Sequence, residues 1–548
     1  MLPRFRISRP LSFPHFSMAF ALAFAVLATG CGSSAPKSPG FSGNTSVTVV
    51  LTTTANDQLS EFGMVVQGVT LTDQSGNTVN LLSAPQGAEF MTINGGAIPF
   101  SAASIPQGIY TAAGVTLGSA QFTCLTVLGP GSGNPGGLDM STYAYGQTPA
   151  GNVAVDLPSP ITITGASMGL SVDLLVAQSA SYPSTCYPEG IPQYSITPTF
   201  NVTPIAFSSQ PTNSANGKIS ELEGEIATIA STADSFTLSL PIVALTCPCI
   251  QPTSLTVSTD ASTKYQGIGA FSALAVGTLI DMDGTVQPDG SVLATRIAAY
   301  DPVALNVMTG PILSLDSATP TFYSLGRQQN GQTYSSQPQS LGVYTYLDNS
   351  AFQISGQLSN LDSLPFDASF NSSNMVSGQN VSVFSQAIND YYGGQYTAVT
   401  TMTLMPQTIN ATVESSSSNG GFTIYSVSLA SYDLFPTLAT QPGQINPLIN
   451  PAEVEVYVDN DTQQLNSQPL AAGNTFRFYG LVFNDNGTLR MDCGQINDGV
   501  TFVSQESSDR PRADDSGTIT VHQTSIGPRV RSTTIIRSHE SLRSQADR

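Results

Sequence analysis

Three acidic groupings hold the residue types that could do chemistry. Asp281-Met282-Asp283-Gly284, followed by Asp289-Gly290, gathers carboxylates near a turn and offers the hard oxygen donors that calcium takes. No glutamate closes the loop as an EF-hand requires. In strand alternation Asp281 and Asp283 simply share a face, with Asp289-Gly290 as a hairpin turn. Asp459-Asn460-Asp461 is a second grouping of this kind. Glu221, Glu223 and Glu225 alternate, so they project from one strand face about 7 Å apart, a spacing at which two carboxylates can flank a glycosidic bond. A solvated edge strand, kept from pairing by its charges, accounts for them more simply.

Aromatic residues offer a different chemistry. The chain has 19 Tyr and no Trp. Tyr344, Tyr346, Tyr391, Tyr392 and Tyr396 cluster, and Tyr344 and Tyr346 share a strand face that could stack on a sugar ring or a partner's side chain. The alternative is a core-facing or cross-strand pair. Ser34-Ala35-Pro36-Lys37 spells the S-x-x-K nucleophile pattern, but in a Ser-, Gly- and Pro-rich stretch with no helix to orient it.

Other chemistry is excluded by what is missing. His15, His522 and His539 are the only histidines, so residues 16–521 can build neither a Ser-His-Asp nor a Cys-His centre, nor a histidine-ligated metal site. Residues 32–500 carry 31 acidic and 7 basic side chains, a net charge of −24. Such a body has little with which to neutralise phosphates, and nucleic acid is not an expected partner. No cofactor is expected beyond calcium at Asp281, Asp283 and Asp289.

The elements that must position these residues are strands. Short alternating runs separated by Gly, Asn, Asp and Ser clusters dominate, and long runs at helical spacing are absent. The expected fold is all-β and multi-domain: an N-terminal β-sandwich at 45–205, then three degenerate small β-barrel units at 217–302, 305–405 and 407–500, with a disordered tail at 501–548. The repeat shows in an opening strand with Gly or Ala (Gly224, Gly310, Ala411), a second strand with Phe (Phe236, Phe322, Phe422), and a third ending in Asp (Asp260, Asp348, Asp459). A glycine before a last hairpin (Gly277, Gly378, Gly473) completes each unit.

Two segments resemble known families. The strand, the hairpin around Asp73-Gln74-Ser75-Gly76-Asn77 and the step Ile105-Pro106-Gln107-Gly108-Ile109-Tyr110 resemble an uncharacterised N-terminal domain of bacterial envelope lipoproteins. Similar steps occur in transthyretin-like and carboxypeptidase-regulatory-like sandwiches, which implies that Gly108 permits a turn and Tyr110 packs on the core. The run from Val276-Gly277-Thr278-Leu279-Ile280-Asp281 through Asp289-Gly290-Ser291-Val292 resembles a small bacterial β-barrel domain of unknown function, similar in outline to an OB-fold.

The start of the chain supplies an address. Arg4, Arg6 and Arg9 precede the apolar run Met18–Ala28, too short to span a bilayer, and 1–30 reads as a secretory signal. Ala28-Thr29-Gly30-Cys31 resembles a bacterial lipobox, which implies that Cys31 is acylated and inserted in membrane lipid. Residues 31–44 read as a flexible tether. Gly32, with no Asp there, points to the outer membrane, the protein facing the periplasm or the cell surface. In that oxidising compartment Cys124 and Cys186 are the expected disulfide, leaving Cys247, Cys249 and Cys493. The expected function is non-catalytic: a lipid-anchored envelope protein presenting β-domains for binding, adhesion or envelope organisation to a protein or glycan partner. The alternative is a carbohydrate-binding or carboxylate-dependent carbohydrate-active protein.

Overall fold

A computed structural model describes most of residues 41–498; outside it lie 1–40, 499–548 and several connections, the longer being 128–137, 182–194, 206–217 and 241–253. The described residues are almost all β. The first module is a sandwich. A four-stranded sheet runs in the order Phe200–Ile205, Ser167–Leu174, Asn44–Thr53, Ala97–Pro106, with Asn44–Thr53 parallel to Ser167–Leu174. It faces a sheet built on the long pair Leu59–Asp73 and Gly108–Val127. One apolar cluster, including Val49, Phe62, Phe90, Leu170 and Val172, fills the space between them. Asp73 forms the turn by accepting the Ser75 and Asn77 amides at 2.7 and 2.9 Å. Tyr110 is buried in the cluster, and its hydroxyl donates to the Pro106 carbonyl at 2.8 Å.

Three barrels follow. The first uses strands Lys218–Ala230, Ser235–Ser239, Ser254–Ser258, Leu279–Val286 and Val292–Tyr300. The second uses Asn306–Leu315, Thr321–Leu325, Leu341–Ile354, Asn380–Asn389 and Gln395–Leu404. The third uses Gln407–Asn419, Phe422–Leu429, Glu453–Val458, Thr475–Asp485 and Thr488–Asp498. In each, the strands pair in the order first, second, third, fifth, fourth and back to the first. The third and fifth strands run parallel, which closes a five-stranded Greek-key ring and leaves no free edge. Alternation turns Ile226, Leu238, Val257, Ile280, Met282 and Ile297 into the first interior, with equivalent apolar sets in the other two.

The repeat extends to single hydrogen bonds. Gly277, Gly378 and Gly473 adopt φ of 85°, 98° and 87°, and each donates its amide at 2.8 Å to a first-strand carbonyl, that of Ile226, Ile312 or Val413. A left-handed residue is needed there to swing the chain into the fourth strand, and glycine carries no steric penalty. A second feature is a hydroxyl pin, just after the third strand in the first and third barrels and within it in the second. Thr263 donates to the Ala294 carbonyl, Ser350 to Val399 and Thr462 to Cys493, each at 2.7 Å. Each hydroxyl also accepts the amide three residues back, from Asp260, Leu347 and Asp459. The pin aligns the second unit one residue earlier than the Asp348 equivalence drawn from the sequence.

The second and third barrels share their packing. Leu481 and Phe483 of the third join the core of the second, and Val376 of the second joins that of the third. Gln379 donates its side-chain amide to the Val482 carbonyl at 2.9 Å in buried surroundings. The short helix Leu434–Ala439 sets Phe435 against Gly378.

Candidate functional site

The acidic residues singled out in the first barrel do come together, on its outer surface and under cover. Ile280 and Met282 point inward, so alternation sends Asp281 and Asp283 outward on the same strand. In register, Glu223 lies opposite Asp281, and Asp283 lies opposite Arg296. Glu223 and Asp281 are 0% exposed and Asp283 is 3% exposed. The strand carrying Glu223 is paired on both sides, so it is no edge strand, and the solvated-edge expectation is corrected.

Arg296 occupies the centre. Its Nε donates to Asp283 Oδ2 at 2.8 Å, one Nη2 bond reaches Asp283 Oδ1 at 3.3 Å, and a second, shorter contact reaches Asp281 Oδ1. The guanidinium fork thus stands where the sequence suggested calcium, and it bonds both carboxylates at once. Asp289 lies outside the described residues. Among the described residues no group of three or more His, Cys, Asp or Glu gathers to hold a metal ion.

Tyr300 completes the cluster. Its hydroxyl donates to Glu223 Oε2 at 3.3 Å, and its ring meets Phe384 of the second barrel edge-on at 5.8 Å. Burial first, then the charges of Glu223 and Asp281 and the bond to Glu223, push its hydroxyl far above the ordinary tyrosine range. It stays a proton donor at any physiological pH. Two carboxylates in register could serve sugar hydrolysis by distance alone. With no exposed surface on either, a sugar has no route to them, and the geometry makes an ion-pair cluster.

Tyr344 and Tyr346 do share a face, but it is the inner one. Val343, between the second barrel's strand start and Tyr344, is 46% exposed, while Tyr344 is 3% exposed. The Tyr344 ring stacks on Phe322 at 5.4 Å and its hydroxyl contacts Met308 Sδ at 3.0 Å. Tyr346 is half-buried, edge-on to Phe352 at 6.3 Å. The expected ligand-binding groove is therefore corrected to core packing: stacking inside the barrel removes the ring from water, which an open groove does not.

Of the cysteines, Cys124 lies on Gly108–Val127 with Leu59 and Thr142 as backbone neighbours. Cys31, Cys186, Cys247 and Cys249 lie outside the described residues. Cys493 is a free, buried thiol in the third barrel, raised well above its usual range by burial and by Asp492. Asp459 accepts the Thr462 amide at 3.0 Å within its turn; Asp461 is not described.

Sequence reasoning missed Arg296 and the hydroxyl pins. A signal for the first existed: an acidic body with 7 basic residues must use each one against several acids.

A closed five-stranded Greek-key barrel with a covered acidic cluster defines the class of the central module. Residues 223–298, which include Glu223, Asp281, Asp283 and Arg296 of that cluster, match the family model described as Domain of unknown function (DUF5666). No curated protein matches the chain. Among the described residues no helix is long and apolar enough to cross a membrane.

Proposed function

We propose that this chain is a non-catalytic, lipid-anchored protein of the bacterial cell envelope, tethered through Cys31 and working through the surfaces of its β-modules. The observation that carries the reading is the use made of its best chemical cluster. Asp281 and Asp283 are buried against Arg296, so the residues best suited to metal or sugar chemistry are engaged in structure. The lack of histidine between residues 16 and 521 points the same way. The arginine-led apolar segment and the residues around Cys31 support export and acylation. The N-terminal sandwich fits the transthyretin-like resemblance, because the Ile105–Tyr110 step buries Tyr110 and ties it to Pro106. The expected partners are an envelope protein or a glycan, and the expected site is the outer membrane.

Metabolic labelling with a palmitate analogue, with and without Cys31→Ala, tests the anchor. The expected result is label and membrane association in the unaltered protein and loss of both in the variant. Protein lacking residues 1–31, assayed on a glycan array and against oligosaccharide substrates, tests the rest. Turnover of any substrate would overturn the reading.

A further inference from the structure

Three carboxylates meet one guanidinium on the covered outer face of the first barrel, so acid outnumbers base there. Arg296 bonds both oxygens of Asp283 and Oδ1 of Asp281. Asp281 Oδ2 remains buried with no hydrogen-bond partner, on a residue that is 0% exposed. A buried acceptor in that state is costly unless a donor reaches it. Glu223 stands opposite Asp281 in register and is likewise 0% exposed. Residues so paired have Cβ atoms about 5 Å apart, and two like charges placed there repel.

The surrounding elements add little positive charge. On the first strand, Glu221 and Glu225 flank Glu223, Glu225 is exposed, and Lys218 lies further back, opposite Thr285. On the fourth strand the facing groups, Asp281 and Asp283, are both acids. On the fifth, Arg296 is shared between those two, and Asp301, just past Tyr300, is exposed. Lys264, beside Arg296 in register, is exposed. The sandwich strand Ala97–Pro106 touches the first strand, and Asn380–Asn389 of the second barrel meets Tyr300 through Phe384. Neither carries an ionisable side chain. Tyr300 donates to Glu223 Oε2 at 3.3 Å, a bond that a carboxyl accepts in either protonation state.

We propose that Glu223 holds a proton at neutral pH and donates it to Asp281 Oδ2, and that this proton is a switch on the joint between the first and second barrels. The joint is the Tyr300 ring, edge-on to Phe384 at 5.8 Å, with its hydroxyl on Glu223. When the O–H bond breaks, the proton leaves to solvent and the electron pair stays on Glu223. Two carboxylates then face each other under cover, and Tyr300, tied to one of them, shifts against Phe384. The folded chain thus binds this proton more tightly than the unfolded chain. Its contribution to stability is full below the ordinary glutamate value, about 4.3, and is lost as pH rises through the raised one. The proposal does not depend on the lipid anchor.

Infrared spectra of the mature full chain at about pH 6 test the proton. The unaltered chain is expected to show a carboxylic acid carbonyl band that Glu223→Gln lacks, and no such difference overturns the proposal. Phenylalanine ring NMR tests the switch. The Phe384 resonance should shift between about pH 6 and about pH 9 in the unaltered chain and stay fixed in Glu223→Gln; movement in both chains, or in neither, overturns it. Over the same range the unfolding constant of the unaltered chain, divided by that of Glu223→Gln, should rise at least about tenfold, the Asp173 carboxyl being common to both. A smaller rise overturns the switch. Should Glu223→Gln fail to fold, carbon-13 glutamate in the unaltered chain decides. A carboxylic acid band that the label moves at about pH 6 supports the proposal, and its absence overturns it.

Discussion

The first and third barrels share a ring order, a left-handed glycine and a hydroxyl pin, yet they treat the same outer position in opposite ways. Four residues after the glycine, the first barrel has Asp281 and the third has Arg477. Each faces the same first-strand position, Glu223 in one and Asn410 in the other. All four are buried, at 0%, 8%, 0% and 1% exposure for Asp281, Arg477, Glu223 and Asn410. The first barrel answers its acids from within, through Arg296. The third looks outward through its arginine: Asn410 bonds Asp433 of its own barrel at 2.9 and 3.1 Å, while Arg477 lies close enough to Asp173 of the sandwich to pull its carboxyl downward. Closure of the ring constrains the interior of every copy, so the interiors stay alike. The outer face is set by whatever covers it, and there the copies have diverged.

The largest effect expected from this contrast is at Arg296. Arg296→Met leaves Asp281 and Asp283 buried without a cation and should lower stability by about 3–5 kcal/mol, read by denaturant melts. Adding Asp281→Asn and Asp283→Asn should recover most of that loss, because the uncompensated charge is what is costly. A loss under about 1 kcal/mol for the single variant would mean that the cluster is wetter than its burial implies, and the contrast with the third barrel would fail.

Why Arg296 escaped a reading of the sequence is physical. The repeat itself was legible, since Gly277, Gly378 and Gly473 and the alternating apolar positions follow from local geometry. Pairing across a hairpin depends on register, and a bulge after Asp283 shifts it, so that Asp283 meets Arg296 while Gly284 meets Ala294. Nothing local announces that bulge. Alternation likewise told that Tyr344 and Tyr346 share a face without telling which face is inside; the decision comes from Phe322 on the neighbouring strand. The covered state of Glu223 could not be foreseen, because the second barrel reaches this cluster through Phe384, far along the chain.

The hydroxyl pins sharpen the shared side of the comparison. Thr263→Val and Thr462→Val each remove a donor to a carbonyl and an acceptor for an amide while keeping the side-chain volume. Each should cost about 1–3 kcal/mol in chemical denaturation. The two losses should agree closely, since the bonds are 2.7 Å in both barrels. A large effect in one barrel and none in the other would show that the repeat is one of shape without shared energetics.

The smallest effect tests the outward-looking barrel through its neighbour. Burial raises the Asp173 carboxyl above its ordinary 3.8, and the Arg477 charge and the Thr52 hydroxyl, 3.0 Å away, only partly oppose it. A raised value means that the folded chain holds this proton more tightly than the unfolded chain does. The contribution of Asp173 to stability is therefore full below the ordinary value and declines as pH rises through the window up to the raised one. Carbon-detected NMR of the Asp173 carboxyl should place its midpoint above 3.8. Arg477→Leu should move that midpoint further up, since the opposing cation is gone and the burial remains. An unmoved midpoint would mean that Arg477 does not reach the sandwich, and the third barrel would then resemble the first in settling its buried charge within itself.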